Sequence, residues 1–163
     1  MEGLSTIFDG RALALLGAGF AYFLPATASG IGCRLVAEAA NGLLAEDPKK
    51  FGQCLILQAV TATQGIYGLI IAFLILLKIG IIGGNPVEIS VATGFYFFLA
   101  ALPVGISAYT TGISQGRAAA AGIGLVAKRP EELGKAMIHA AMIETYQILG
   151  LLLSFLIWLG IPV

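Results

Sequence analysis

Four long stretches without a formal charge constrain this 163-residue chain more than any other feature. They run from Ala12 to Cys33, Phe51 to Leu77, Ile89 to Gly116 and Ala136 to Val163, the last broken only by Glu144. Each exceeds the roughly 18–20 apolar residues needed to cross hydrocarbon. A water-soluble domain of this size needs a polar exterior, and 11% charged residues against 58% hydrophobic cannot supply one. Lipid offers no partners for backbone N–H and C=O groups, so each stretch must satisfy its own as a helix. The expected fold is an all-α membrane protein with four transmembrane helices.

The first stretch is not read as a signal peptide. Its flank carries Glu2 and Asp9 instead of a basic cluster, and its apolar run is too long. Cys33 and Cys54 have no metal-type spacing and read as small apolar side chains. The few basic residues form no patch, which argues against nucleic-acid binding.

Shifting the sequence by 82 positions lays its second half on its first. Gly30-Ile31 falls on Gly112-Ile113, Pro48 on Pro130, Gly52 on Gly134 and Thr63 on Thr145. Gly68-Leu69 falls on Gly150-Leu151, and Phe73-Leu74-Ile75 on Phe155-Leu156-Ile157. The chain therefore reads as two tandem duplicated helical hairpins, residues 1–80 and 81–163. Each turns at a short polar loop, Glu46-Asp47-Pro48-Lys49-Lys50 or Lys128-Arg129-Pro130-Glu131-Glu132. Proline there stops one helix and suits the first turn of the next. Four bases stand at these loops against Arg11 and Lys78 at the opposite ends, so the loops are expected on the cytoplasmic side and both termini outside. Gly83-Gly84-Asn85-Pro86 reads as a turn linking the hairpins on that outer side.

Helices one and three are rich in small residues. Ala108, Gly112, Gly116, Ala120 and Gly124 recur at every fourth position of the third. Ala26, Gly30 and Gly42 stand at equivalent places in the first, interrupted by Arg34 and Glu38, which can pair across one turn. Such strips let helix backbones approach closely. They suit a closed inner circle of helices, or tight packing within one bundle.

Glu144 is the one acid of the fourth stretch. An ionisable group in a membrane span is by default an ion or proton site. At about 1.5 Å per residue, Glu144 lies roughly 20 Å from Pro130, Gln64 about 24 Å from Pro48, and Gln115 about 20 Å back from the second loop. Independent counting thus brings all three to one level. Val60, Thr63, Gln64 and Tyr67 share a helical face at i, i+3, i+4, i+7. Together the groups offer a carboxylate, amide oxygens and hydroxyls, the donor set of a hard cation. One negative charge suits Na⁺ better than calcium, and a proton would need fewer oxygens. Tyr67 can donate to Glu144 and fix its rotamer, and helix–helix hydrogen bonding alone would also account for Thr63 and Gln64. Glu144 falls on Ala62 under the 82-residue shift, so the first hairpin lacks the acid. His139 reads as a packing residue with a proton relay as the alternative. Trp158 and Tyr22 read as interfacial anchors.

At these residues the chain resembles a known family, the duplicated proteolipid (c/K) subunit of V-type and A-type rotary ATPases, and most closely its sodium-binding bacterial members. The resemblance spans essentially the whole chain. It is carried by Leu57-Gln58 through Thr63-Gln64-Gly65-Ile66-Tyr67-Gly68, by Ser114-Gln115-Gly116-Arg117-Ala118-Ala119-Ala120-Ala121-Gly122, and by Ala140-Ala141-Met142-Ile143-Glu144-Thr145-Tyr146. It implies a ring of identical subunits in the cell membrane, with small-residue helices inside and site-bearing helices outside, in contact with lipid. It implies Na⁺ ligands at the backbone carbonyl of Val60, the side chains of Thr63, Gln64 and Gln115, and Glu144, with Tyr67 in support. A stator subunit with an essential arginine would discharge the ion, and a central-stalk subunit would meet the cytoplasmic loops. The chain itself would be non-catalytic, ATP hydrolysis residing in a separate soluble sector. Such relatives commonly carry Pro-Gly where this chain has Thr61-Ala62, so the Val60 carbonyl is the ligand least assured by the resemblance. The rival readings are the same ring carrying H⁺, a stand-alone four-helix secondary transporter, and a structural membrane scaffold.

Overall fold

The computed structural model describes residues 9–163; residues 1–8, among them Glu2 and the start of the 1–80 hairpin, lie outside the described residues. Helix α1 spans Gly10–Glu46, α2 Phe51–Val60, α3 Thr63–Lys78, α4 Val91–Lys128 and α5 Leu133–Gly160. Single 3₁₀ turns at Pro48–Lys50 and Pro130–Glu132 close the two hairpins. The helices begin where capping chemistry permits. The Asp9 carboxylate accepts the Ala12 N–H at 2.6 Å, and the Ser90 hydroxyl accepts the Thr93 N–H at 3.1 Å. Among the described residues, four helical spans are long and apolar enough to cross a membrane: α1, α2 with α3, α4 and α5. At 37 and 38 residues, α1 and α4 are each about 55 Å long and outreach a hydrocarbon core of about 30 Å.

Helices α1 and α4 pack along most of their length and form the inner pair. Small residues make this possible. Ala14, Ala18, Ala21, Ala28 and Gly32 of α1 are buried, as are Ala100, Ala101, Ala108, Gly112 and Gly116 of α4. A methyl group on Gly116 would collide with the backbone of Gly32. The α4 strip is thus buried at Ala108, Gly112 and Gly116, but Gly124 lies open. In α1 the expected positions are not the contact. Gly30 and Gly42 have nothing beside them, and α4 instead meets the face that carries Ala28 and Gly32. Two residues are about 200° of helical turn, so the side of α1 that carries Gly30 points away from α4 and is left free within this chain.

Helix α3 lies against α1, and α5 against α4, whereas α3 and α5 touch each other little. An apolar groove lined by Ile70, Leu74, Ile148, Leu152 and Phe155 separates the outer helices. The duplication is visible in the packing. Gly68 of α3 is pressed against Ala21 and Pro25 of α1, and Gly150 of α5 against Pro103 and Ser107 of α4. Each residue of the second set lies 82 positions beyond its counterpart in the first. Gly80, Gly83 and Gly84 hold φ of 73°, 115° and 75° in the inter-hairpin turn, a backbone region that favours glycine.

The second span is not one continuous helix. At Thr61 and Ala62 the ladder tightens: the Thr61 N–H reaches Gln58 O at 3.1 Å and the Ala62 N–H reaches Ala59 O at 3.1 Å. The Thr61 hydroxyl takes a second bond to Gln58 O at 2.7 Å. The missing proline does not restore a regular helix; a threonine back-bond and two i→i−3 bonds interrupt it instead. Arg34 and Glu38 pair as expected, 3.6 Å apart on an exposed face of α1.

Candidate functional site

The break delivers α3 to the point where it meets α4 and α5. From its first turn, Gln64 is buried and Tyr67 half-buried, both turned toward α4 and α5. The Tyr67 hydroxyl donates to Glu144 Oε1 at 2.6 Å, joining α3 to α5. Gln115 of α4 donates from Nε2 to Glu144 Oε2 at 3.4 Å and to the Ala140 carbonyl at 3.3 Å. Gln64 donates from Nε2 to Gln115 Oε1 at 2.9 Å. The Thr111 hydroxyl closes the chain 3.2 Å from Gln64 Oε1. Both amides are fully buried, and Glu144 is half-buried at the open side between the outer helices.

Of the residues singled out from sequence, Glu144, Gln115, Gln64 and Tyr67 are therefore one hydrogen-bonded group. Thr63 and Val60 stand apart from it in bonding: the Thr63 hydroxyl donates to the Val60 carbonyl at 3.0 Å. His139 is exposed on α5. Trp158 sits near the end of α5, its indole N–H donating to Leu74 O at 3.1 Å and its ring beneath the Lys78 ammonium at 4.7 Å. Tyr22 does not stand at a helix end. It lines a hollow with Ser29, Gly65 and Leu69, deep along α1, so the anchor reading fails for it.

Sequence reading missed a second polar cluster, between Glu144 and the C-terminal end of α5. The Ser107 hydroxyl lies 2.7 Å from Gln147 Oε1, Gln147 Nε2 donates to Val104 O at 3.3 Å, and the Val104 N–H donates to the Ser154 hydroxyl at 2.9 Å. Gln147 and Ser154 are completely buried. Pro103 disturbs the α4 ladder here, and these side chains serve the backbone groups beside it. The available signal was Ser107, Thr111 and Gln115, spaced four apart on one helix.

What this arrangement can do follows from its charges. Among the described residues no three His, Cys, Asp or Glu side chains cluster as a metal site. One carboxylate, two amides and nearby hydroxyl and carbonyl oxygens remain, a set suited to a singly charged hard cation or a proton.

The ATP synthase C-subunit family matches the chain twice, over residues 16–75 and 98–157. The chain belongs to that family. The two matches begin 82 residues apart, the shift found within the sequence itself. The chain is also 43% identical over 160 residues to the V-type sodium ATPase subunit K of Enterococcus hirae, covering 98% of this chain and 99% of the relative. It is 36% identical over 153 residues to the A-type ATP synthase subunit K of Methanocaldococcus jannaschii, covering 94% of this chain and 64% of that relative. As a proteolipid of the ATP synthase C-subunit family it is a non-catalytic, multi-pass membrane component, and its two copies of the family unit are tandem hairpins.

Proposed function

We propose that this C-subunit proteolipid is the rotor-ring element of a V-type ATPase membrane sector and carries Na⁺ on Glu144. The observation that carries the reading is a single intramembrane acid bonded to Tyr67 and Gln115, with the Gln64 amide behind them. The full-length relative named as a sodium ATPase subunit supports Na⁺ as the cargo. Hairpins 1–80 and 81–163 would share one site, because Ala62 stands where the second copy has Glu144.

The residues would divide the work. Glu144 supplies the charge that balances the ion, and Tyr67 holds one carboxylate oxygen in place. Gln115 and Gln64 offer amide oxygens once turned toward the ion, and Thr63 with the Val60 carbonyl stands beside them, bonded to each other. A bare carboxylate facing lipid is strongly disfavoured, so an occupied or protonated Glu144 is the form that passes through the bilayer. An arginine on a stator subunit would favour release by competing for the carboxylate. The loops at Pro48 and Pro130 would face the cytoplasm and a central stalk, with many copies closing a ring around the α1 and α4 helices.

One observation favours the proton as cargo instead. Thr63 and Val60 bond each other, and the amide nearest Glu144 presents its N–H₂. Carbodiimide labelling of Glu144 in the purified ring separates the two, because the reagent attacks a protonated carboxyl. Slower labelling in Na⁺ than in K⁺, with the difference fading at low pH, is the sodium outcome. Identical labelling in both salts would make H⁺ the cargo.

A further inference from the structure

We propose that Thr111 is a positioning residue that turns the Gln64–Gln115 amide pair oxygen-first toward Glu144; the proposal rests on the sodium reading above. Thr111 Oγ1 lies 2.7 Å from the Ser107 carbonyl and 3.2 Å from Gln64 Oε1. A hydroxyl has one proton to donate. The shorter contact, the ordinary back-bond of a helical threonine, claims it. The longer contact then sets two oxygens against each other unless the Gln64 amide turns over.

Turning an amide exchanges its O and N without moving any other heavy atom, since the two ends are nearly the same size. Gln64 would then donate to Thr111 Oγ1, whose lone pairs are free to accept. Its oxygen would face Gln115, 2.9 Å away across the present bond. Gln115 must in turn offer its N–H₂ to Gln64, and its oxygen swings to the positions now 3.4 Å from Glu144 Oε2 and 3.3 Å from Ala140 O. Three oxygens around one point repel one another unless a cation lies among them. Ligands about 2.3–2.6 Å from a shared hard cation, at right angles, stand about 3.3–3.7 Å apart, and these separations fall in that range.

The amide pair thus has two polarities. With N–H₂ inward, Gln115 bridges Glu144 and the Ala140 carbonyl, an arrangement suited to a carboxylate without a metal ion. With oxygen inward, the same atoms become ligands. Thr111 is satisfied in full only in the second case, because it then donates to Ser107 O and accepts from Gln64. Both buried amides belong to the chain that ends at Thr111, and the pair carries its preference some 50 residues along the sequence from Gln64 to Gln115.

The test is carbodiimide labelling of Glu144 in the purified ring, titrated with Na⁺ at fixed pH, and separately against pH without Na⁺. Thr111→Val keeps the shape and removes the hydroxyl. The loss of one neutral hydrogen bond is expected to raise the Na⁺ concentration for half-protection about three- to tenfold, with the pH profile unmoved. Thr111→Ser should behave as the parent protein. Thr111→Ala adds no bulk and should reproduce the valine result, which answers the case of a valine ring that does not assemble. Half-protection unchanged in both Val and Ala variants, in a parent ring that Na⁺ does protect, would overturn the role of Thr111 alone. A parallel shift of the pH profile would also overturn it, showing general damage to the site. A parent ring insensitive to Na⁺ would overturn the sodium reading and this proposal together.

Discussion

At the scale of single residues, Glu144 and Tyr67 have separable roles. Glu144→Gln keeps the shape of the side chain and removes the charge, so ATP-driven ²²Na⁺ uptake into vesicles should vanish while rings of unchanged size are recovered. Retained uptake would defeat the carboxylate's role. Tyr67→Phe removes the 2.6 Å donor to Glu144 Oε1 and keeps the ring. A hydrogen bond to a charged group is worth about 1.5–3 kcal/mol, so Na⁺ binding should weaken roughly ten- to hundredfold, read as the shift in half-protection against carbodiimide. The acid and its level were legible in the sequence because a charge inside an apolar run is conspicuous and helical rise is constant. Thr111, Ser107 and Gln147 were not. A hydroxyl in a membrane helix can satisfy itself on its own backbone, and only the packing of α4 against α3 and α5 shows which ones have a second partner.

At the scale of the helical elements, close approach decides. Gly68→Ala would push a methyl group into Ala21 O and Pro25, and Gly150→Ala one into Ser107 and the Pro103 carbonyl. These are rigid neighbours, and overpacking of this kind costs about 1–3 kcal/mol. Both variants should lower the thermal midpoint of the detergent-solubilised protein. Gly52→Ala meets nothing within 4 Å and lies in the first turn of α2, where a methyl group has open space. Its midpoint should stay level or rise; a fall as deep as that of Gly68→Ala would contradict the packing described for these helices. The four spans were readable from length and hydropathy alone. The break at Thr61 was not, since a threonine is common inside helices and interrupts one only when its hydroxyl and the turn around it cooperate.

At the scale of the whole molecule, orientation and assembly are open to direct measurement. Replacing Cys33 and Cys54 and placing single cysteines at Lys49, Glu131 or Asn85 gives a test of sidedness. A membrane-impermeant thiol reagent should label positions 49 and 131 only in inside-out vesicles, and position 85 only in right-side-out ones. The reverse pattern would place the hairpin loops outside. Each hop of a single charge through 100 mV is worth about 2.3 kcal/mol. One acid for two hairpins therefore sets fewer charges moved per turn than a ring of the same circumference with an acid in every hairpin, which suits pumping against steep gradients.

The two hairpins contribute unequally to the hydrogen-bonded group: Gln64 and Tyr67 come from the first, Gln115 and Glu144 from the second. Neither half alone holds the whole group: the first lacks the acid, and the second keeps Gln115 but lacks Gln64 and Tyr67. Deleting half the gene cannot return the lineage to a simple single-hairpin rotor. The doubled form is a one-way door, held shut by the one tyrosine and one glutamine that stand apart from the acid.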